Sequence, residues 1–190
     1  MDITKIFNSK AREAIFRLYF TNPDKEYYLR ELERELSIPV SIIRKELLTL
    51  EQSGMFRLSK KGNLCYYSLN KDYPLYNELK KIVFKTVGVQ GALARLLSSL
   101  DGIETAFIYG SYAKNKVHAK SDIDLFIIGS IDEDALLPGI SNLEKILHRN
   151  INYNLYSKRD FDKKKKEKDP FIEDLLENKK IFLVGGENDI

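Results

Sequence analysis

The chain has 190 residues, 43% of them hydrophobic and 31% charged, with 31 Lys+Arg against 28 Asp+Glu and a formal net charge of +3. This is an ordinary globular composition, long enough for one large domain or two small ones. No apolar run approaches the ~18 residues of a membrane span, and the opening Met-Asp-Ile-Thr-Lys lacks the apolar stretch of a signal peptide, so a cytoplasmic chain with no membrane partner is expected. The single cysteine, Cys65, excludes an internal disulfide framework and a zinc site built of thiolates, and reads as a half-buried strand residue.

Along the chain, Ser9 to Phe20 carries Ala11, Ile15 and Leu18 at helical spacing, with Asn8 or Ser9 as the cap, and Thr21-Asn-Pro-Asp24 breaks it. Tyr28 to Leu36 is a second helix with Leu29, Leu32 and Leu36 on one face. After the turn Ser37-Ile-Pro39, a third helix runs from Val40 to Gln52, burying Ile43, Leu47 and Leu50, and stops at Ser53-Gly54. Met55 to Asn70 alternates and turns at Lys61-Gly62-Asn63, as a β-hairpin does. Residues 1–73 hold 13 Lys+Arg against 10 Asp+Glu, whereas residues 74–190 hold 18 of each, so the whole positive excess lies in the first part.

Three helices with a tight turn between the second and third, then a basic-tipped hairpin, resemble a winged helix-turn-helix domain of the ArsR or MarR type over residues 9–72. That resemblance implies a double-stranded DNA partner and a homodimer. The third helix would present Val40, Ser41, Arg44 and Lys45 to the major groove, and the hairpin tip would place Lys60, Lys61 and Asn63 against the backbone. Glu46 and Glu51 would lower the positive field there, and Pro39 stands where such helices often carry a Ser or Thr cap. A winged helix used only for protein contacts is the competing reading.

Asp72-Tyr-Pro74 punctuates the chain, and residues 74–87 read as a connecting helix. From residue 88 a second domain begins. It holds a helix over Val89–Leu100, strands at Thr105–Tyr109 and Asp124–Ile128, a helix over Asp132–Asn150, and a strand at Ile151–Ser157. The lysine-rich helix Lys158–Lys168, capped by Ser157, follows, then a helix from Asp169-Pro170 to Glu177 and a strand at Lys180–Gly185. The fold class expected is α+β: a winged helix-turn-helix (1–73), a connecting helix (74–87) and an α/β domain with a small mixed sheet flanked by helices (88–190).

The stretch from Phe107 to Gly129 is the most informative in the chain. Gly110-Ser111 closes a strand and opens a short helix, whose free backbone N–H groups favour phosphate. Eleven residues later Asp122-x-Asp124 sits in an apolar strand, where residues two apart share a face. Two carboxylates so close repel each other, and a divalent cation relieves that repulsion. Gly110 lets the backbone approach a phosphate without a Cβ. Lys114, Lys116, Lys120 and His118, in the gap, read as solvated loop side chains, and Lys163 to Lys168 as a solvated helical face.

Gly-Ser, an eleven-residue interval, then Asp-x-Asp is similar to the signature of the polymerase-β-like nucleotidyltransferase superfamily, in particular its minimal members. The resemblance implies a nucleoside triphosphate (NTP) as substrate or ligand and Mg²⁺ or Mn²⁺ held by Asp122 and Asp124. Gly110, Ser111 and Ser121 would meet the phosphates, and a nucleoside monophosphate would pass to a hydroxyl acceptor. Active members supply a third carboxylate from a later strand. Here that strand is Ile151-Asn152-Tyr153-Asn154-Leu155, with asparagine where aspartate is expected; Glu173 or Asp174 could substitute, but nothing in the sequence places either at the site. An amide ligates Mg²⁺ weakly and is no base, so Asn152 and Asn154 read as nucleotide contacts. Two readings follow: a DNA-binding regulator fused to a nucleotidyltransferase, or a catalytically silent, nucleotide-sensing or antitoxin-like regulator with a helical toxin-like partner.

Overall fold

The computed structural model of the chain describes residues 9–114 and 121–190, so Lys116, His118 and Lys120 lie outside the described residues. The chain divides between Val89 and Gln90 into two compact units.

In the first unit, helix α1 (Lys10–Thr21) starts where the Ser9 hydroxyl accepts the N–H of Arg12 at 3.0 Å. A two-residue strand β1 (Tyr27–Tyr28) leads into α2 (Leu29–Leu36), so Tyr28, expected to open the helix, pairs instead with Tyr66. Ser37, with φ 53°, turns the chain into α3 (Val40–Gln52). Pro39 gives α3 no side-chain cap; Glu33 of α2 supplies one, its Oε1 accepting the Val40 N–H at 3.2 Å. The bond from Arg30 and the one from Val40 hold the Glu33 carboxyl below its usual range. Strands β2 (Phe56–Lys61) and β3 (Leu64–Leu69) form the hairpin, and the sheet order is β1-β3-β2.

Ile15, Leu18 and Tyr19 of α1, Leu32 of α2, and Ile43 and Leu47 of α3 are fully or almost fully buried together. The hairpin reaches beyond this core, and only Phe56, Tyr67 and Leu69, nearer its base, are buried. Cys65 lies further out and is exposed, not half-buried as expected. Helix α4 (Tyr76–Thr86), read as a connector, is a wall of the same core: Val83 and Val87 are buried in it, and Tyr76 lies 5.8 Å from the Phe20 ring.

The second unit is a four-stranded sheet with helices. Helix α5 (Val89–Leu97) begins at the boundary, followed by β4 (Ile103–Tyr109), the one-turn helix α6 (Gly110–Ala113) and β5 (Ile123–Gly129). Next come α7 (Glu133–Leu147), β6 (Ile151–Tyr156), α8 (Lys158–Lys166), α9 (Pro170–Glu177) and β7 (Ile181–Val184). The order is β6-β5-β4-β7, with β5 and β6 parallel and the other pairs antiparallel. Ser157 and Asp169 cap α8 and α9 as their positions suggest.

Both faces of β5 are occupied. Ile123, Leu125 and Ile127 are buried on one face. On the other, Phe126 and Ile128 pack with Phe107, with Phe161 of α8 and with Ile172 and Leu175 of α9. Helices α5 and α7 meet where Gly139 lies so close to Leu96 that a Cβ would collide with it. Asp124 shares the face of Phe126 and stands at the end of that aromatic layer. No helix among the described residues is long and apolar enough to cross a membrane.

Candidate active site

Three strands bring the site together. Asp124 of β5 is in register with Tyr109 of β4 on one side and Asn152 of β6 on the other. Asp122 lies one residue before β5 begins and so just outside the ladder. The Asn152 amide nitrogen donates to Asp122 Oδ2 at 3.4 Å, a long bond, and it also acts on Asp124, so one amide serves both carboxylates. Partial burial raises the Asp124 carboxyl above its usual range. The Asn152 bond opposes that shift, and the charge of Asp122 adds to it.

Gly110 begins α6 with φ 68°, and a Cβ there would strike the Asp124 carboxylate. The glycine therefore does two things: it takes the left-handed turn, and it leaves the space in which Asp124 stands. Ser111 follows it in α6, and Ser121 precedes the pair, its carbonyl accepting from Arg149 Nη1 at 3.1 Å. Asn154 does not meet the carboxylates; its amide donates to the Tyr109 hydroxyl at 2.9 Å. Burial, with the charge of Asp124, keeps the Tyr109 hydroxyl protonated well into the alkaline range. Tyr109 and Arg149 were missed in the sequence: neither belongs to a spaced motif, and each is brought in by strand pairing or by a turn.

The donor set fits one hard divalent cation. Two carboxylate oxygen donors on one face suit Mg²⁺ or Mn²⁺, and positive charge there would relieve the strain that burial and repulsion place on Asp124. A second cation finds less. Among the described residues no group of three or more His, Cys, Asp or Glu side chains is assembled. Glu173 and Asp174 do not complete the set: both are exposed on α9, and Asp174 bonds Asn178 at 3.0 Å. Asn152 occupies the place beside Asp124.

In the first unit, Ser41, Arg44 and Lys45 are exposed on α3, and Lys60, Lys61 and Asn63 on the hairpin. Lys61 is paired with Glu26, and its ammonium sits 5.3 Å from the Tyr66 ring centre. Glu46 is turned inward, bonded by Ser9 at 2.7 Å and by Arg12 at 2.7 Å, so its charge is compensated.

Residues 92–184 match the family model described as Polymerase beta, Nucleotidyltransferase. The match runs from within α5 to the end of β7. It therefore spans Gly110, Ser111, Asp122, Asp124 and Asn152, and leaves the first unit untouched. The comparison with curated proteins gives no match.

Proposed function

We propose that the second unit binds a nucleoside triphosphate with one divalent cation at Gly110, Ser111, Asp122 and Asp124, and that the first unit reads double-stranded DNA. The match of residues 92–184 to a nucleotidyltransferase family supports nucleotidyl transfer as the general chemistry of this domain. The observation that carries the reading is the juxtaposition of Gly110 with Asp124, which brings the phosphate turn and a carboxylate of the pair into contact. In transfer, an acceptor hydroxyl attacks the α-phosphorus: its oxygen bonds to phosphorus, its proton passes to solvent water, the bond from the α-phosphorus to the bridging oxygen breaks, and pyrophosphate leaves. The cation, when bound, supplies positive charge for the triphosphate. Asp122 and Asp124 hold it, Asn152 restrains their oxygens, and the Gly110 turn admits phosphate close to the backbone.

A second reading has its own support: the site binds nucleotide and does not transfer it. Asn152 stands in register with Asp124 where a third carboxylate would serve as base, and an amide cannot take the acceptor's proton. Nucleotide would then act as a signal to the first unit or to a helical partner protein. Calorimetry with ATP and Mg²⁺, paired with incubation in labelled NTPs, separates the two. Wild type is expected to bind, and Asp122→Asn to lose at least about tenfold in affinity. Label in the protein or in a supplied acceptor supports transfer, binding without label supports the silent reading, and no binding overturns both.

The DNA reading rests on the α2–turn–α3 pair, followed by the hairpin with basic exposed side chains. We propose a homodimer on duplex DNA, with Ser41, Arg44 and Lys45 of α3 toward the groove and Lys60, Lys61 and Asn63 toward the backbone. Lys60→Ala with Lys61→Ala is expected to weaken binding to every duplex alike and to reduce the slope of log K against log salt by at most about 2. Lys61 is held by Glu26, so Lys60 alone should account for most of the loss. Fluorescence anisotropy across a salt series measures both; absence of duplex binding by wild type at low salt rejects the reading.

A further inference from the structure

The backbone of Asp122 lies outside the sheet ladder. Strand β5 begins at Ile123, and what holds the residue ahead of it is the turn between α7 and β6, residues 148–150. His148 ends α7 in the left-handed region at φ 52°. The next two residues then reach across to the carboxylate segment. The Asn150 carbonyl accepts the Ile123 N–H at 2.9 Å, and Arg149 Nη1 donates to the Ser121 carbonyl at 3.1 Å. These two bonds bracket Asp122, one on each side.

Arg149 is a full cation that is only 7% exposed, a placement that needs compensation by charge or hydrogen bonds. The groups facing it point to the site. Besides the Ser121 carbonyl, its charge acts on the hydroxyl of Tyr112, which is buried in α6 one residue after Ser111, and Asp122 acts on that same hydroxyl in the opposite sense. Arg149 thus holds directly the backbone that delivers Asp122, and its charge reaches the buried Tyr112 hydroxyl of the one-turn helix that carries Gly110-Ser111. Asp124 needs no such help, because strand pairing on both sides fixes it. Of two mutually repelling carboxylates, the one outside the ladder is the less firmly fixed, its side chain held by the long bond from Asn152 and its backbone flanked by the bonds from the turn.

We propose that Arg149 is a positioning residue of the cation site, anchoring Asp122 beside Asp124 through the backbone that precedes it. The proposal rests on the reading of the carboxylate pair as a cation site. Arg149, only 7% exposed, acts through the Ser121 carbonyl and not as a phosphate ligand.

The test is Mn²⁺ binding to the full chain by electron paramagnetic resonance titration, with ATP present and absent, for wild type, Asp122→Asn, Arg149→Met and Arg149→Lys. Thermal melting is recorded alongside. Arg149→Met is expected to lower Mn²⁺ affinity at least about tenfold, the scale of losses from groups that orient metal ligands. Arg149→Lys, which keeps the charge but loses the fork, should fall between that and wild type. A lower melting temperature with wild-type Mn²⁺ affinity would show a purely structural arginine and overturn the proposal alone. If Arg149→Met does not fold, Arg149→Lys decides: affinity below wild type supports the proposal, and affinity equal to wild type overturns it. No Mn²⁺ binding by wild type overturns both this proposal and the cation-site reading beneath it.

Discussion

Gly110→Ala is expected to lose about 1–3 kcal/mol of stability and at least about tenfold in NTP–Mg²⁺ affinity, because two penalties fall on one atom. The first is conformational: at φ 68° an L-residue pays the left-handed cost that glycine escapes. The second is a collision, since the new Cβ would meet the Asp124 carboxylate. The carboxylate must rotate away, and rotation breaks its alignment with Asp122 and Asn152. Gly62 is the internal comparison. It has φ 59° at the hairpin turn, but a Cβ there meets nothing within 4 Å. Gly62→Ala should therefore incur only the conformational penalty, visible in urea denaturation, and leave nucleotide binding as in wild type. If both variants lose stability equally and calorimetry shows nucleotide binding intact in Gly110→Ala, the glycine serves the turn alone.

The contrast between these glycines also marks where sequence reading reaches its limit. Both could be read as turn residues, because turn chemistry is local and Gly62 sits between alternating strands. That one of them faces a carboxylate fourteen residues on is a consequence of β4 pairing with β5, which no local pattern encodes. Caps divide the same way. Ser9, Ser157 and Asp169 were legible because a cap and its helix are neighbours in sequence, whereas the cap of α3 comes from Glu33 on another helix and could not be seen. The two-residue strand β1 is too short to show alternation and exists through its pairing with β3.

Helix α4 was legible as a helix but not as part of a core, since its partner Phe20 on α1 is remote in sequence. In the site, the two aspartates announce themselves by spacing, and the helical and strand periods around them set their context. Their unequal footing does not announce itself. Asp124 is in the ladder and Asp122 is not, and the hydrogen bonds that compensate come from Arg149 and Asn150, about 28 residues further on.

Asn152→Asp is the change with the largest expected gain. Asn152 already lies in register with Asp124, and its amide reaches Asp122 Oδ2 at 3.4 Å, so a carboxylate built there would join the pair without movement of the backbone. Its first effect is unfavourable. The amide donates to the carboxylates and lowers the Asp124 pKa, so aspartate replaces an attractive neighbour with a third negative charge. The cation-free variant should melt below wild type at neutral pH. As pH falls and Asp124, whose carboxyl already lies above its usual range, takes up its proton, that deficit should shrink, because its repulsion of the new carboxylate is lost on protonation. Saturating Mg²⁺ should shrink it too. The second effect is on chemistry. Three carboxylates can hold two cations and supply a base, so Mn²⁺ titration should rise from one bound ion to two, and the rate of label transfer from NTP should rise about 10²–10⁴-fold, the range of general-base assistance. A variant that binds a single Mn²⁺ and transfers no faster than wild type would mean that Asn152 does not occupy the position of the missing carboxylate, and the silent reading would lose the observation on which it stands.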